Sequence, residues 1–350
     1  MLTLTTYNIA NNHCLHLALT NRFSHSGLVH VFSMCRLFVY FLQPKGGAEM
    51  GPEILRQAGL VSRIKHILLF LDYEVVDHGD IEIESIPGDK PDGNVKNPRS
   101  VGRANKKISD KVASIVKSKE LCLNLGGDHS IAIGSIHGHC RAEPGLVVVW
   151  VDAHADINTP LSSPSGNMHG MPLSLLVKEL ADRFSPVEGF DWCKPCIHVR
   201  DIVYIGLRDV DEGERWIIDQ FGIPAYSMQE IDKMGIKEVM HQALKNLDPN
   251  GTRPIHLSFD VDGLDPTITP STGTPVLGGL NIREGQYIME ELANTGRLSA
   301  IDIVEVNPLL GSEKDNMVTA ETTISVIEKC FGSKRGGYYP ASYLCTKYGY

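Results

Sequence analysis

Three times in this chain a short, mostly apolar run ends in a tight cluster of Asp and His. Residues 121–125 lead into Gly-Gly-Asp-His-Ser at 126–130, residues 146–151 into Asp-Ala-His-Ala-Asp at 152–156, and residues 255–259 into Asp-Val-Asp at 260–262. Runs of this length, rich in Val, Ile and Leu, are the pattern of strands buried on both faces of a parallel sheet. Parallel neighbours need crossover connections, so the pattern predicts an α/β fold with helices covering a central parallel sheet on both faces. Open sheets of this kind build their sites at the carboxyl ends of the strands.

Four aspartates, Asp152, Asp156, Asp260 and Asp262, would therefore meet two histidines, His129 and His154, in one region. Carboxylates crowded together repel unless a cation lies among them. The economical reading is a two-metal site. In an extended chain, residues i, i+2 and i+4 point the same way, so Asp152, His154 and Asp156 are expected to face one point, as are Asp260 and Asp262. His129 completes a donor set that is mostly oxygen, which suits Mn²⁺ better than zinc. With six ligands for two ions some carboxylates must bridge, and Asp260 is the expected bridge. A blander reading makes Asp128 and Ser130 a cap for a helix beginning near Ile131. That reading accounts for one cluster and leaves the coincidence of three unexplained.

Composition narrows the function. The chain has 350 residues and a net charge of −9 without a basic stripe, which argues against nucleic acid as a partner. An acidic site suits a cationic substrate. The ligand-bearing strands spread from 121 to 306, so one sheet must include them all and a single domain is expected. Its bounds are 44–335, with an atypical segment at 1–43 and a tail at 336–350. The 8 cysteines are scattered, as reduced thiols are. Cys193-Lys-Pro-Cys196 is a lone pair without a second at ligand spacing. A cytoplasmic location is expected, with the mitochondrion as the alternative, because residues 1–43 lack Asp and Glu as transit peptides do. The apolar stretch Gly27–Gln43 carries His30 and Arg36 and falls short of the roughly 20 residues of a membrane span, so no membrane anchor is expected.

Helices are expected at 52–58, 100–118, 130–140, 171–183, 213–221, 235–247, 283–295 and 316–331. Strands are expected at 67–71, 121–125, 146–151, 202–206, 255–259 and 299–306, with a loop over Asp77–Asp92.

Longer stretches carry a family signature: Asn-Pro-Arg-Ser-Val-Gly at 97–102, Asp-Ile-Asn-Thr-Pro at 156–160 and Ser-Gly-Asn-Met-His-Gly at 165–170. Further ones are Gly-Leu-Arg-Asp-Val-Asp at 206–211, Ser-Phe-Asp-Val-Asp-Gly-Leu-Asp-Pro at 258–266 and Gly-Thr-Pro-Val at 273–276. Together with the metal clusters, they resemble the ureohydrolases from about Pro44 to Cys330, and arginases in particular. The resemblance implies a three-layer αβα fold with a central parallel sheet and two Mn²⁺ per chain. It implies hydrolysis of L-arginine to L-ornithine and urea by a hydroxide bridging the two ions, with Asp156 both ligand and hydrogen-bond acceptor. His169 would shuttle the proton to the leaving amine, and Glu305 would pair with the guanidinium, with Thr274 in the same subsite. Asn158 and Ser165 would hold the substrate carboxylate, and Asp211, helped by Glu214, its ammonium. Agmatine lacks that carboxylate and would leave Asn158 and Ser165 unpaired, which costs affinity. Other guanidino hydrolases and an inactive metal-bound scaffold are the rival readings. The family also implies a homotrimer, with Arg283, Glu284 and Arg335 at matching interface positions. The chain departs from the family before Gln43, where a first strand and a Gly-rich turn are absent. Two readings of that departure stand side by side: Val29–Leu42 as a substitute first strand, or a misassigned stretch of sequence.

Overall fold

The computed structural model describes residues 28–34, 45–69, 73–83 and 86–336. Eight parallel strands form one sheet: β1 (Leu28–Met34), β2 (Glu74–Ile81), β3 (Leu121–Leu125), β4 (Val147–Val151), β5 (Ile202–Leu207), β6 (Ala225–Ser227), β7 (Ile255–Asp260) and β8 (Leu298–Val304), in the order β2-β1-β3-β8-β7-β4-β5-β6. Every residue of β3, β4, β5, β7 and β8 is buried, the double-sided burial that their apolar sequences predict.

Alternation along the strands divides the core in two. Val147, Val149 and Val151 of β4 join one cluster with Leu257 and Ile301, whereas Val148 and Trp150 join another with Cys122 and Ala300. Helices Leu60–Leu69, Met228–Leu247, Ile282–Asn294 and Glu313–Ile327 cover the first cluster. Helices Pro98–Lys117, Ala132–Ala142 and Glu212–Phe221 cover the second. The result is the three-layer αβα arrangement. On the second face two helices pack closely, because a Cβ on Gly134 or Gly138 would stand 2.4 Å from the carbonyl oxygen of Asn105 or Ser109.

Strand order does the work of assembling the site. β3, β8, β7 and β4 are consecutive neighbours, with Leu125 opposite Ile303, Asp260 opposite Val304 and Val151 opposite Phe259. Their carboxyl ends are thus level, and the loops that follow them deliver His129, Glu305, Asp260 and Asp152 to one place.

The structure corrects several local expectations. Residues 67–69 end a helix instead of starting a strand, because Leu60, Ile64 and Leu68 are buried at four-residue spacing and the helical period wins. The expected loop over Asp77–Asp92 begins as edge strand β2, whose acids suit an exposed edge and are paired by Arg56 with Asp77 at 2.9 Å and Asp80 at 3.1 Å. The three-residue edge strand β6 is too short to leave a periodic signal. The helix expected at 171–183 stops at Leu176 and is followed by a 3-10 turn, Lys178–Leu180. The helix expected from 235 begins at Met228, where Ser227 caps it by accepting from the Gln229 amide at 3.1 Å, and it breaks at Gly235. Within Val29–Leu42, residues up to Met34 belong to β1, which pairs with both β2 and β3; the remainder, the rest of the 1–43 segment and the tail from 337 lie outside the described residues. No helix among the described residues is long and apolar enough to cross a membrane.

Candidate metal centre and active site

Each ligand pair is made by a turn. The Asp152 Oδ1 accepts from the His154 amide at 2.7 Å, and the Asp260 Oδ1 accepts from the Asp262 amide at 2.8 Å. An aspartate that bonds the amide two residues on bends the chain sharply at the strand end. The side chains therefore converge by turning, and the expectation that an extended segment aligns them does not hold. Asp156 completes the turn with a positive φ of 49°.

His129 is the centre of the first cluster. Its Nδ1 lies 3.0 Å from Asp152 Oδ2, 3.1 Å from Asp156 Oδ2 and 3.2 Å from Asp260 Oδ2, yet this buried nitrogen makes no hydrogen bond. The other ring nitrogen, Nε2, stands 2.9 Å from Ser258 Oγ, whose hydroxyl donates to Asp302 at 3.4 Å. Ser258 must then accept from Nε2–H, which leaves the Nδ1 lone pair aimed at three carboxylate oxygens. A lone pair among anionic oxygens is a ligand arrangement awaiting a cation, and the outer hydrogen bond fixes the tautomer that a metal needs.

The second cluster places His154 Nδ1 3.3 Å from Asp152 Oδ1 and 3.2 Å from Asp262 Oδ2. Asp152 thus offers one oxygen to each cluster and is the shared carboxylate. Asp260, the bridge expected from the sequence, gives Oδ2 to the His129 cluster while its Oδ1 accepts from the Asp262 amide. Burial, then the neighbouring carboxylates Asp262 and Asp152, push the Asp260 carboxyl well above its usual range; burial and Asp152 push Asp156 up to about 7. That charge crowding is what a cation among these oxygens would relieve. The donor set fits a divalent ion that favours oxygen with one imidazole.

Trp150 was absent from the sequence-based candidates. It lies flat on the His129 ring, with centroids 4.0 Å apart and planes within 9°, and its Nε1 donates to Asp152 Oδ2 at 3.0 Å. A Trp two residues before the first Asp on a buried strand shares that residue's face, so its spacing was the available signal. Trp150→Phe keeps the stack and deletes the donor. It is expected to weaken metal binding by roughly tenfold, the lower end of what such outer partners cost. Chelator competition on the purified variant measures this, and an unchanged affinity would remove Trp150 from the account.

A cavity of about 340 Å³ opens over this floor. His154, Asp156 and Asp260 line it together with Asn158, Ser165, His169, Asp211, Glu214, Thr274 and Glu305. All of the expected substrate contacts therefore meet in one space, with Lys45, Asn167 and Asp209 added. Their local roles differ. Glu305 sits at a φ of 68°, and its Oε1 accepts from the His129 amide at 2.8 Å. Two acids that line the cavity, Asp156 and Glu305, thus hold left-handed backbone that their surroundings must enforce. The Thr274 hydroxyl donates to Asp262 Oδ2 at 3.0 Å. Asn158 donates to Asp211 at 2.8 Å and accepts from the Ser162 hydroxyl at 2.8 Å. Ser165, exposed at the mouth, accepts from the Asn167 amide at 3.2 Å.

Asp211 is also the N-cap of helix Glu212–Phe221, with Glu214 as its reciprocal partner. The Glu214 carboxylate accepts from the Asp211 amide and, with its other oxygen, from the Ile157 amide, each at 3.1 Å. Burial and Asp156 push Glu214 up to about 8. His169 stands on the turn Met168–Gly170, and burial lowers it to about 4. Burial thus favours the neutral imidazole.

Away from the cavity, Arg335 pairs with Glu290 at 2.7 Å and reaches the carbonyl of Arg283 at 3.5 Å, while Glu284 caps the start of the same helix through the Asn281 amide at 2.9 Å. Cys122, Cys140, Cys193, Cys196 and Cys330 are free thiols.

A parallel αβα sheet carrying a carboxylate–imidazole cluster beneath a polar cavity defines the class of metal-dependent hydrolases built on strand ends. Residues 40–332 match the arginase family, and the chain belongs to it. It is 54% identical over 296 residues to arginase-1 of Rattus norvegicus, covering 84% of this chain and 90% of that protein. Against arginase-1 of Homo sapiens it is 52% identical over 304 residues, covering 86% and 93%. Among solved structures, the native arginase of Bacillus caldovelox superposes with a TM-score of 0.78 at 36% identity, covering 88% of this chain and 99% of that one.

Proposed function

We infer that this chain is an arginase, a hydrolase that converts L-arginine and water to L-ornithine and urea. The observation that carries the reading is the single cavity in which the floor of metal-ligating groups meets Glu305 and the Asn158, Ser165, Asp211 and Glu214 set. The centre is proposed to hold two Mn²⁺ per chain, through His129, Asp152, Asp156 and Asp260 on one side and Asp152, His154 and Asp262 on the other. When bound, the ions supply Lewis acidity and a water acidified toward neutral pH.

The chain's own residues then do the rest. Glu305, held by the His129 amide, offers its carboxylate to the guanidinium through a charge-assisted contact. Asp156 accepts a hydrogen bond from the attacking water while its Oδ2 faces the His129 cluster. His169, neutral at the start, takes up the proton given up by the attacking water and passes it to the leaving amine. Asp211, steadied by Glu214 and Asn158, holds the substrate ammonium, and Asn158 and Ser165 hold the carboxylate. Thr274 steadies Asp262. The catalytic unit is proposed to span 44–335. The surface bearing Arg283, Glu284 and Arg335 is proposed as the subunit contact of a homotrimer. A cytoplasmic location fits the free thiols among the described residues.

Asp211→Ala tests the substrate end. Losing one charge-assisted contact is worth about 1.5–3 kcal/mol, so kcat/KM for arginine should fall roughly ten- to a hundredfold, mostly through KM. Metal content should not change. An unaltered KM would place the ammonium elsewhere.

A further inference from the structure

Behind the metal centre, a file of buried polar groups crosses the core from one end of the sheet to the other. Asp302 on β8 faces His256 on β7, with His256 Nε2 2.9 Å from Asp302 Oδ2. His256 Nδ1 stands 3.1 Å from His139 Nδ1, and His139 Nε2 stands 3.2 Å from Glu143 Oε2. His139, His256 and Asp302 are each 0% exposed.

Asp302 receives the Asn124 amide, the Ser135 hydroxyl and the Ser258 hydroxyl, and His256, with the Asn124 and Ser135 donors, holds its carboxyl below the usual range despite burial. It is ionised, so His256 Nε2 must carry a hydrogen. Glu143 accepts from Lys119 at 2.9 Å and from the Ser299 hydroxyl at 2.8 Å, which makes it an anion too. His139 Nε2 must therefore also carry a hydrogen. Between the two Nδ1 atoms there is room for one hydrogen, since two would clash and none would set lone pair against lone pair. Three hydrogens on four ring nitrogens amount to one positive charge.

We propose that His139 and His256 share a single extra proton as a buried cationic pair between Glu143 and Asp302, and that the pair positions the metal ligand His129 through Asp302 and Ser258. The pair keeps Asp302 an acceptor, so the Ser258 hydroxyl turns toward it and leaves its lone pair to His129 Nε2–H. Other charged or ionisable groups in this neighbourhood include Lys119, paired to Glu143, Glu120, which shares a cavity with them, and the Cys122 thiol beside Asp302, which burial holds protonated and on which Lys111 also acts. Glu143 lines a second cavity, about 250 Å³, with Lys119 and Ser299 at the amino ends of the strands, so the pair communicates with solvent from the face opposite the active site. The positioning half of this proposal rests on the metal reading above; the charge half does not.

Glu143→Gln is the discriminating variant. The amide of the new side chain can donate to His139 Nε2, so a neutral pair with two ring hydrogens would satisfy every group without changing shape. Nitrogen-15 NMR of histidine-labelled, metal-free full chain just above neutral pH reads the count directly. Three ring N–H groups on this pair in the wild type and two in Glu143→Gln are expected; two in the wild type would overturn the cationic pair, whatever the metal does. In parallel, chelator competition should show Mn²⁺ binding roughly three- to tenfold weaker in Glu143→Gln, less than the ten- to hundredfold typical of a direct partner of a ligand. The KM for arginine should not move. Unchanged metal affinity in the folded variant would overturn the positioning role while leaving the charge count intact. Should the variant not fold, the wild-type count still decides the cationic pair, and chelator competition on His139→Gln, with the same three- to tenfold loss expected, decides the positioning role.

Discussion

Asp152→Asn is expected to cost at least three orders of magnitude in kcat/KM and to strip metal from both halves of the centre. Asp152 gives Oδ2 to the His129 cluster and Oδ1 to the His154 cluster, so one substitution removes the charge common to both. Metal ions supply several kcal/mol of transition-state stabilisation, and each 1.36 kcal/mol is about tenfold in rate. The Asn side chain can still accept from the His154 amide, so the turn at the end of β4 should survive. Asp260→Asn is the informative comparison, because only Asp260 Oδ2 faces His129. Elemental analysis of the two variants should find Asp152→Asn the more depleted. Equal depletion would make Asp260 a bridge as well, and full occupancy in Asp152→Asn would sink the shared-ligand assignment.

His169→Asn is the second large effect. A positioned general acid–base group contributes roughly 10²–10⁴-fold, and His169 lines the cavity without joining either ligand cluster. Turnover should fall by about that factor while metal content and KM stay near those of the parent chain. Burial lowers the ring to about 4, so across the working pH range it enters the cycle neutral and its own titration should leave no inflection near pH 6.5. Loss of metal from His169→Asn would make it a ligand, and an inflection near 6.5 that vanishes in the variant would show that burial does not govern it.

The parts of the molecule that reach into the sequence most directly are the central strands. β3, β4 and β7 are legible because burial on both faces forces continuous apolar runs, and the acids that end them stand out against that background. The edges are less legible. β2 is acidic because it is exposed and paired with Arg56, and β6 is too short to show a period, so both are set by tertiary context. The proposed ligands were legible from residue type and position, yet the reason for their convergence was not. An extended alternation and an aspartate-initiated turn share the same spacing, and only the amide bonds to Asp152 and Asp260 separate them. Which carboxylate is shared depends on how β4 lies against β7, which spacing along one strand does not encode. Trp150, Ser258 and Asp302 escaped notice for a related reason: each looks like an ordinary strand residue until the sheet brings it beside His129.

The most direct test of the central claim is urea release by the purified full chain, first stripped of metal and then reloaded with Mn²⁺, with arginine and agmatine compared side by side. The account predicts no urea from the stripped protein, restoration on arginine after loading, and far slower release from agmatine, whose missing carboxylate leaves Asn158 and Ser165 without their partner. Urea release that is indifferent to metal, or agmatine turned over as fast as arginine, would contradict it.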